Sequence, residues 1–167
     1  MSTTNSDEQW LSPTAYERLK REHERLVTEG RKDVSEQIKI ARAHGDISEN
    51  ADYSAAKERQ GLMEARIREL EQILRTAVVA DPSAQPSTVV RPGMVVTILR
   101  EATGGEETYL VGSSSNRGEG VDVVSPSSPL GSALMERSVG ESVSYQAPVG
   151  MLTVKLLAIR PYQISPE

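Results

Sequence analysis

The chain has 167 residues, with 19 Lys+Arg against 24 Asp+Glu and a formal net charge of -5 at pH 7. This length is enough for one ordinary domain or two small ones. The acidic balance argues against an autonomous nucleic-acid-binding module, which normally carries a basic surplus. Cysteine is absent, which excludes disulfides, thiolate metal sites and a cysteine nucleophile. Because the sequence shows neither a secretory signal nor a membrane-spanning stretch, we expect a cytoplasmic protein that makes no membrane contact.

The chain divides into two unlike parts. Residues 1–76 hold 13 of the 19 Lys+Arg, 15 of the 24 Asp+Glu and only one of the 9 prolines. The division falls in a stretch rich in proline and serine that has no apolar periodicity, which is typical of a linker. We therefore predict an N-terminal domain over 1–80, a linker over 81–88 and a C-terminal domain over 89–167.

The first part predicts an antiparallel coiled-coil hairpin of two long helices. Ser12 followed by Pro13 is a helix start, with serine as the N-cap and proline at the first helical position. Apolar residues then recur at steps of three and four until Gly45, and a second stripe begins after Asn50. The first stripe is Tyr16, Leu19, His23, Leu26, Gly30, Val34, Ile38 and Ala41, and the second is Ala51, Ala55, Met63, Ile67, Leu70, Leu74 and Ala77. Helices joined by a short connection fold back on each other, and such a rod is suited to reaching into a partner.

The second part predicts a small antiparallel sheet with a short helix on one face, which makes the whole chain α+β. Runs rich in β-branched residues are separated by turns that contain glycine and proline. The predicted strands are Met94–Arg100, Glu107–Val111, Val121–Val124, Ser142–Gln146 and Leu152–Ile159, and the predicted helix is Pro129–Met135.

The connection between the two long helices contains the residues with the clearest chemistry. Asp46 and Glu49 lie three positions apart, and a compact turn would project both carboxylates from the end of the hairpin. Paired carboxylates suit Mg²⁺, which takes one or two of them and completes its shell with water and phosphate oxygens. The tip would then be half of a metal site, completed by a partner. A second reading is that the two acids only end one helix and begin the next.

Other polar residues near the tip allow two readings each. His44 could join the two acids in a zinc site, although three ligands in so short a turn converge poorly. Arg42, Lys57 and Arg59 flank the tip and could attract phosphates. These cations could equally belong to a solvated helix face with ion pairs.

The segment 42–61, RAHGDISENADYSAAKERQG, closely resembles the signature of the bacterial Gre transcript cleavage factors, specifically their GreA type. Residues 64–71 continue the match, and 124–134 and 139–143 resemble the C-terminal domain of that family. The resemblance covers roughly residues 10–163. It implies a coiled-coil hairpin followed by an FKBP-like domain, and an activity that stimulates transcript cleavage by RNA polymerase.

The resemblance also implies roles for particular residues. The C-terminal domain would dock at the rim of the polymerase secondary channel, and the hairpin would pass down the channel to the active centre. There Asp46 and Glu49 would help to hold a Mg²⁺ shared with the polymerase, which the isolated protein would not bind. Asn50 and Tyr53 would shape and support the tip or contact the active centre, while Arg42, Lys57 and Arg59 would contact the extruded RNA or the channel wall. The chain would be an accessory factor rather than an enzyme, a monomer that meets the 3′ end of nascent RNA only through the polymerase.

Two departures from the family pattern are modest: Asp52 stands where glutamate is frequent, and Ile47 where leucine is usual. A second function also stays open, namely a Gre-type channel binder that inhibits or tunes transcription without stimulating cleavage. The retained pair of Asp46 and Glu49 favours the cleavage factor. A generic coiled-coil adaptor, indifferent to changes at the tip, is the third reading.

Overall fold

The computed structural model describes residues 9–45, 50–84, 87–118 and 120–163. These residues form two compact units: residues 17–75 make up one, and the described residues before 17 and after 75 make up the other. The domain boundaries given above, 1–80, 81–88 and 89–167, stay a prediction.

The helical unit is the predicted antiparallel hairpin, with a wide turn inside its first arm. Its elements are α1 (Pro13–Arg25), a π-helical turn (Leu26–Gly30), α2 (Arg31–Ala43) and α3 (Ala51–Thr76). At the start of α1 the Ser12 hydroxyl oxygen accepts a hydrogen bond from the Ala15 amide at 3.0 Å, as expected of an N-cap. The sequence analysis predicted the first arm as one uninterrupted helix. Its apolar stripe takes three consecutive steps of four through residues 26, 30, 34 and 38, and a π turn accommodates steps longer than the α-helical repeat.

The buried stripe of the first arm follows the prediction, but the stripe of α3 begins differently. Val34, Ile38 and Ala41 are buried, as are Ile67 and Leu70 on α3. Ala51 and Ala55, predicted to face the partner helix, are exposed; Ala56 is buried instead, beside the half-buried Tyr53. The actual stripe runs through positions 53, 56, 60, 63, 67, 70 and 74, in alternating steps of three and four. Neighbouring alanines carry too little apolar surface to fix the phase of a helix.

Ion pairs join the two arms where the apolar stripe is narrow. Arg66 donates two hydrogen bonds to the Glu22 carboxylate, at 2.7 and 3.0 Å. Arg31 donates in the same forked way to Glu64, at 2.9 and 3.0 Å. The sequence analysis predicted charged helix faces but did not identify these pairs, because the pairing depends on the register between the arms.

The second unit contains a five-stranded sheet and one helix: β3 (Met94–Arg100), β4 (Glu106–Val111), β5 (Asp122–Val124), α4 (Pro129–Leu134), β6 (Ser142–Ala147) and β7 (Gly150–Pro161). The strands lie side by side in the order β5-β4-β3-β7-β6. The predicted strands and helix are confirmed to within a few residues, but β5 pairs with β4 in parallel, so the sheet is mixed rather than wholly antiparallel. A parallel neighbour needs a longer connection than a hairpin, and the segment between β4 and β5, with its 3₁₀ turn at Ser114–Asn116, supplies one.

The core of this unit lies between the sheet and α4. It consists of branched aliphatic side chains, which pack well on a pleated surface. These are Val90, Val96, Ile98, Val111, Val124, Leu134, Val143, Val154 and Leu156.

Two short strands flank the hairpin in the chain and pair in parallel with each other. They are β1 (Gln9–Trp10), before the first helix, and β2 (Ala77–Val78), after the last. The Trp10 ring packs on Val95 and Leu110 of the sheet, and its indole N–H donates to the carbonyl of Ala80 at 3.0 Å. The sequence analysis missed both strands, since two residues are too few to show any periodicity.

Trp10 occupies a socket that we define by Gly93, Gly112 and Asn116. A Cβ added at either glycine would come within 3.0 to 3.1 Å of the Trp10 ring, so a side chain at either position would require the ring or its own segment to shift. The fully buried Asn116 amide donates to the Trp10 carbonyl at 2.9 Å and accepts from the Ser12 amide at 2.8 Å.

In the described part of the chain, no helix combines the length and the apolar character needed to cross a membrane.

Candidate functional site

The candidate site is the end of the hairpin, where α2 stops at Ala43 and α3 starts at Ala51. Gly45, two residues after α2, has a φ of +136°, a conformation that L side chains rarely adopt. The two tip carboxylates, Asp46 and Glu49, lie outside the described residues. Their convergence on a metal ion therefore stays a prediction.

The Asn50 side chain forms hydrogen bonds with both helices, near the end of α2 and at the start of α3. Its side-chain oxygen accepts from the backbone amide of Tyr53 at 3.1 Å, which caps the start of α3. Its side-chain nitrogen donates to the carbonyl of Ala41 at 2.5 Å, near the end of α2. The sequence analysis assigned Asn50 a supporting role at the tip; the cross-helix bond to Ala41 is the geometry that sequence alone did not reveal.

Arg42 and Tyr53 form a second contact across the hairpin. The Arg42 guanidinium carbon lies 5.7 Å from the centre of the Tyr53 ring, within the range of a cation–π contact. A hydrogen bond from Arg42 lowers the pKa of the Tyr53 hydroxyl, and the charge of Lys57 lowers it further. The Tyr53 ring rests on Val34, Ile38 and Ala56. Tyr53 is therefore held from both arms.

The other two predicted cations lie on the exposed surface of α3. Lys57 donates to the side-chain oxygen of Gln60 at 3.0 Å, one turn further along the same helix. Arg59 is exposed. The structure thus brings Arg42, Asn50 and Tyr53 together, with Lys57 near enough to influence Tyr53 electrostatically, whereas Arg59 takes no part in this group.

The described residues offer no alternative metal centre. Within 9–45, 50–84, 87–118 and 120–163, no three His, Asp or Glu side chains come together as metal ligands. His44 is exposed beside the turn. The zinc site considered above also needs Asp46 and Glu49, which lie outside the described residues, so it stays a prediction.

A second polar cluster lies on the sheet, but its members satisfy one another. Arg100 contacts Glu107 at 2.8 Å and the Tyr145 hydroxyl at 3.1 Å. The Tyr109 hydroxyl donates to the same Glu107 carboxylate at 2.8 Å. The hydrogen bond from Arg100 lowers the pKa of Glu107, and burial raises the pKa of Tyr109. This cluster links three strands, β3, β4 and β6. Because its polar groups bond to one another, the hairpin tip is the stronger candidate for a functional site.

The comparisons with known proteins agree with the division into hairpin and sheet. Residues 9–79 match the family described as "Transcription elongation factor, N-terminal", and residues 85–161 match "Transcription elongation factor, GreA/GreB, C-term". The chain is 40% identical to the transcription elongation factor GreA of Streptomyces coelicolor, over 97% of this chain and 99% of that one. It is 39% identical to the GreA of Bacillus cytotoxicus, over 90% of this chain and 95% of that one.

Solved structures give a looser match. The crystal structure of GreA factor homolog 1 from Thermus thermophilus is 27% identical and covers 92% of this chain and 99% of its own, with a TM-score of 0.42. A GreA/GreB structure from Nitrosomonas europaea is 22% identical over 91% of this chain and 98% of its own, with a TM-score of 0.38.

Proposed function

Because this chain belongs to the GreA/GreB family of transcription elongation factors, we propose that it stimulates hydrolytic cleavage of the RNA 3′ end in backtracked RNA polymerase complexes. The hairpin would enter the polymerase secondary channel and bring Asp46 and Glu49 to the active centre. Hydrolysis consumes one water and leaves a new 3′ hydroxyl on the shortened RNA.

The observation that carries this proposal is the bond between the two helices beside the acidic segment. Asn50, just before α3, donates to the Ala41 carbonyl near the end of α2, and residues 46–49 lie between these two helices in the chain. Two carboxylates on a narrow projection can be delivered into a channel that would exclude a globular domain. Family membership over nearly the whole chain supports RNA polymerase as the partner.

The donor set at the tip fits Mg²⁺. Carboxylate oxygens are hard ligands, and Mg²⁺ binds one or two of them together with water and phosphate. Asp46 and Glu49 would hold the ion jointly with the polymerase. When bound, Mg²⁺ lowers the pKa of a coordinated water and stabilises charge on the phosphate under attack.

The flanking residues would serve this delivery. Lys57 and Arg59 have exposed side chains and could contact the extruded RNA or the channel wall. Arg42 could do the same, although its contact with Tyr53 already gives its charge an internal role. Asn50 and Tyr53 would support the tip from within.

The remaining parts of the proposal concern the whole protein. It would act as a monomer in the cytoplasm, as an accessory factor to the nuclease activity of the polymerase rather than as an enzyme in its own right. Contact with nascent RNA would be made only inside the complex. The sheet unit would dock at the rim of the channel.

The test is a cleavage assay on backtracked complexes of the cognate polymerase, with Mg²⁺ and without nucleotides. The test variant is Asp46→Asn/Glu49→Gln. The matched control is Asp33→Asn/Glu36→Gln, which removes the same charges at the same spacing from exposed positions of α2. We expect the wild type and the control to release short 3′ fragments. The test variant should lose at least about 100-fold in rate, since metal-bound oxygens stabilise the transition state directly.

Polymerase affinity decides between the competing readings. The tip variant should compete for the channel about as well as the wild type, because docking involves other surfaces. A wild-type chain that binds the polymerase without accelerating cleavage would favour the inhibitory channel binder. Equal loss of binding and cleavage in the tip variant would show that the two acids do not act as metal ligands.

A further inference from the structure

The side chain of Asn50 forms hydrogen bonds with backbone groups at the end of α2 and at the start of α3. A helix leaves its first amides and its last carbonyls without partners inside the helix. The carbonyl of Ala41 is one of these, and it accepts from the His44 amide at 3.2 Å and from Asn50 at 2.5 Å. The amide of Tyr53 is another, and it donates to the Asn50 side-chain oxygen at 3.1 Å.

These two hydrogen bonds explain why asparagine occupies position 50. Asparagine, aspartate and serine cap helices about equally well. Only an amide, however, offers a donor and an acceptor on two separate atoms, whereas a carboxylate has no donor and a hydroxyl has a single short-reaching oxygen. The bond to Ala41 therefore selects asparagine, and the cap to Tyr53 does not.

The bond also constrains the acidic segment. It ties residue 41 directly to residue 50, and the Arg42–Tyr53 contact ties the arms together one residue further along α2. The two helices are thus held together on either side of the acidic segment in the chain. Reacting groups need this fixing, since a displacement of about 1 Å can cost on the order of 100-fold in rate.

We propose that Asn50 is a positioning residue, whose bond to the Ala41 carbonyl sets the geometry from which Asp46 and Glu49 hold the shared metal ion. This inference rests on the proposed cleavage function. It assigns Asn50 no contact with RNA or with the reacting atoms.

The experiment separates the cap from the bridge in the full-length chain. Asn50→Ser keeps a neutral cap but is too short to reach Ala41, and Asn50→Asp keeps the cap without any donor. Gln37→Ser, a similar amide-to-hydroxyl change at an exposed position of α2, is the control. We expect both Asn50 variants to lose about 10- to 100-fold in the maximal cleavage rate, with an unchanged half-saturating protein concentration. We also expect them to need more Mg²⁺ for half-maximal rate, which a purely structural change would not cause.

Cleavage at the wild-type rate by Asn50→Ser would overturn the proposal, because the cap alone would then suffice. So would a loss of rate with an unchanged Mg²⁺ requirement. NMR of the wild-type protein gives a readout that does not depend on activity: one side-chain amide proton of Asn50 should exchange slowly with water. Rapid exchange of both protons would refute the bond to Ala41. A wild-type chain that accelerates no cleavage would instead refute the proposed function.

Discussion

The forked pair of Arg66 and Glu22 shows how a single residue contributes to the hairpin. The hydrogen bonds from Arg66 lower the pKa of Glu22, because they stabilise the ionised carboxylate. Both side chains stay partly exposed, at 37% for Arg66 and 27% for Glu22, so solvent screens much of the attraction. A pair of this kind contributes about 0.5–1 kcal/mol.

We expect Glu22→Gln to destabilise the hairpin by about 0.5–1 kcal/mol at pH 7. The folded-state pKa lies below the ordinary value of 4.5, so the stabilisation is complete above that value and is lost as the pH falls through the folded-state pKa. The difference between wild type and variant in urea unfolding, followed by helical circular dichroism, should therefore shrink below about pH 4.5. Glu69→Gln is the control, because Glu69 is 60% exposed and contacts Arg66 from the same helix. A difference independent of pH would contradict the assignment.

At the scale of elements, the fit of β1 against the sheet depends on two glycines. A Cβ at Gly112 would lie 3.0 Å from the Trp10 ring and 3.2 Å from the Trp10 carbonyl oxygen. The carbonyl cannot swing aside, since it accepts bonds from the Ser113 amide and from Asn116. A methyl group there forces the segment or the sheet to shift.

Gly112→Ala should accordingly destabilise the sheet unit by about 1–3 kcal/mol, the usual cost of overpacking a buried site. The chain has one tryptophan, so its fluorescence reports on the socket directly. We expect red-shifted emission and stronger acrylamide quenching. Gly105→Ala is the control, because the nearest atom to its added Cβ would be the Thr103 hydroxyl at an ordinary 3.5 Å. Emission identical to the wild type in Gly112→Ala would show that the socket is looser than described.

Elements with a clear local pattern were predictable from the sequence, whereas the two-residue strands and the pairings between distant segments were not. Stripes of leucine, isoleucine and valine placed Val34, Ile38 and Ile67 correctly, because each such side chain gains much by burial. Alanines at 51 and 55 gain little, and there the phase was wrong. The parallel pairing of β5 depends on a loop path, and the bond from Asn50 to Ala41 depends on the register between the arms; neither leaves a local pattern.

For the candidate site, the sequence identified residue types and position but not contacts. Arg42, Asn50 and Tyr53 were predicted at the tip from the resemblance of the segment. Their mutual arrangement became visible only with the hairpin folded, because Arg42 and Tyr53 belong to different helices.

At the scale of the whole molecule, the two units have very different cores. The sheet unit buries a continuous cluster of large aliphatic residues between the sheet and α4. In residues 17–75 the buried apolar side chains form a narrow stripe that includes two alanines, Ala41 and Ala56. Free energy from burial scales with apolar area, so the hairpin has less of it for each ordered residue.

We therefore expect the two units to unfold at different denaturant concentrations, with the hairpin first. Circular dichroism at 222 nm reports mainly on α1, α2 and α3, whereas Trp10 fluorescence reports on the sheet unit. Their urea transitions should not coincide, which is the standard sign that unfolding is not a single two-state step. Ile67→Ala and Leu156→Ala, each truncating a fully buried aliphatic side chain, should cost about 2–5 kcal/mol apiece. Ile67→Ala should shift only the dichroism transition, and Leu156→Ala mainly the fluorescence transition. Transitions that superimpose and move together in both variants would mean that the chain folds as one cooperative unit.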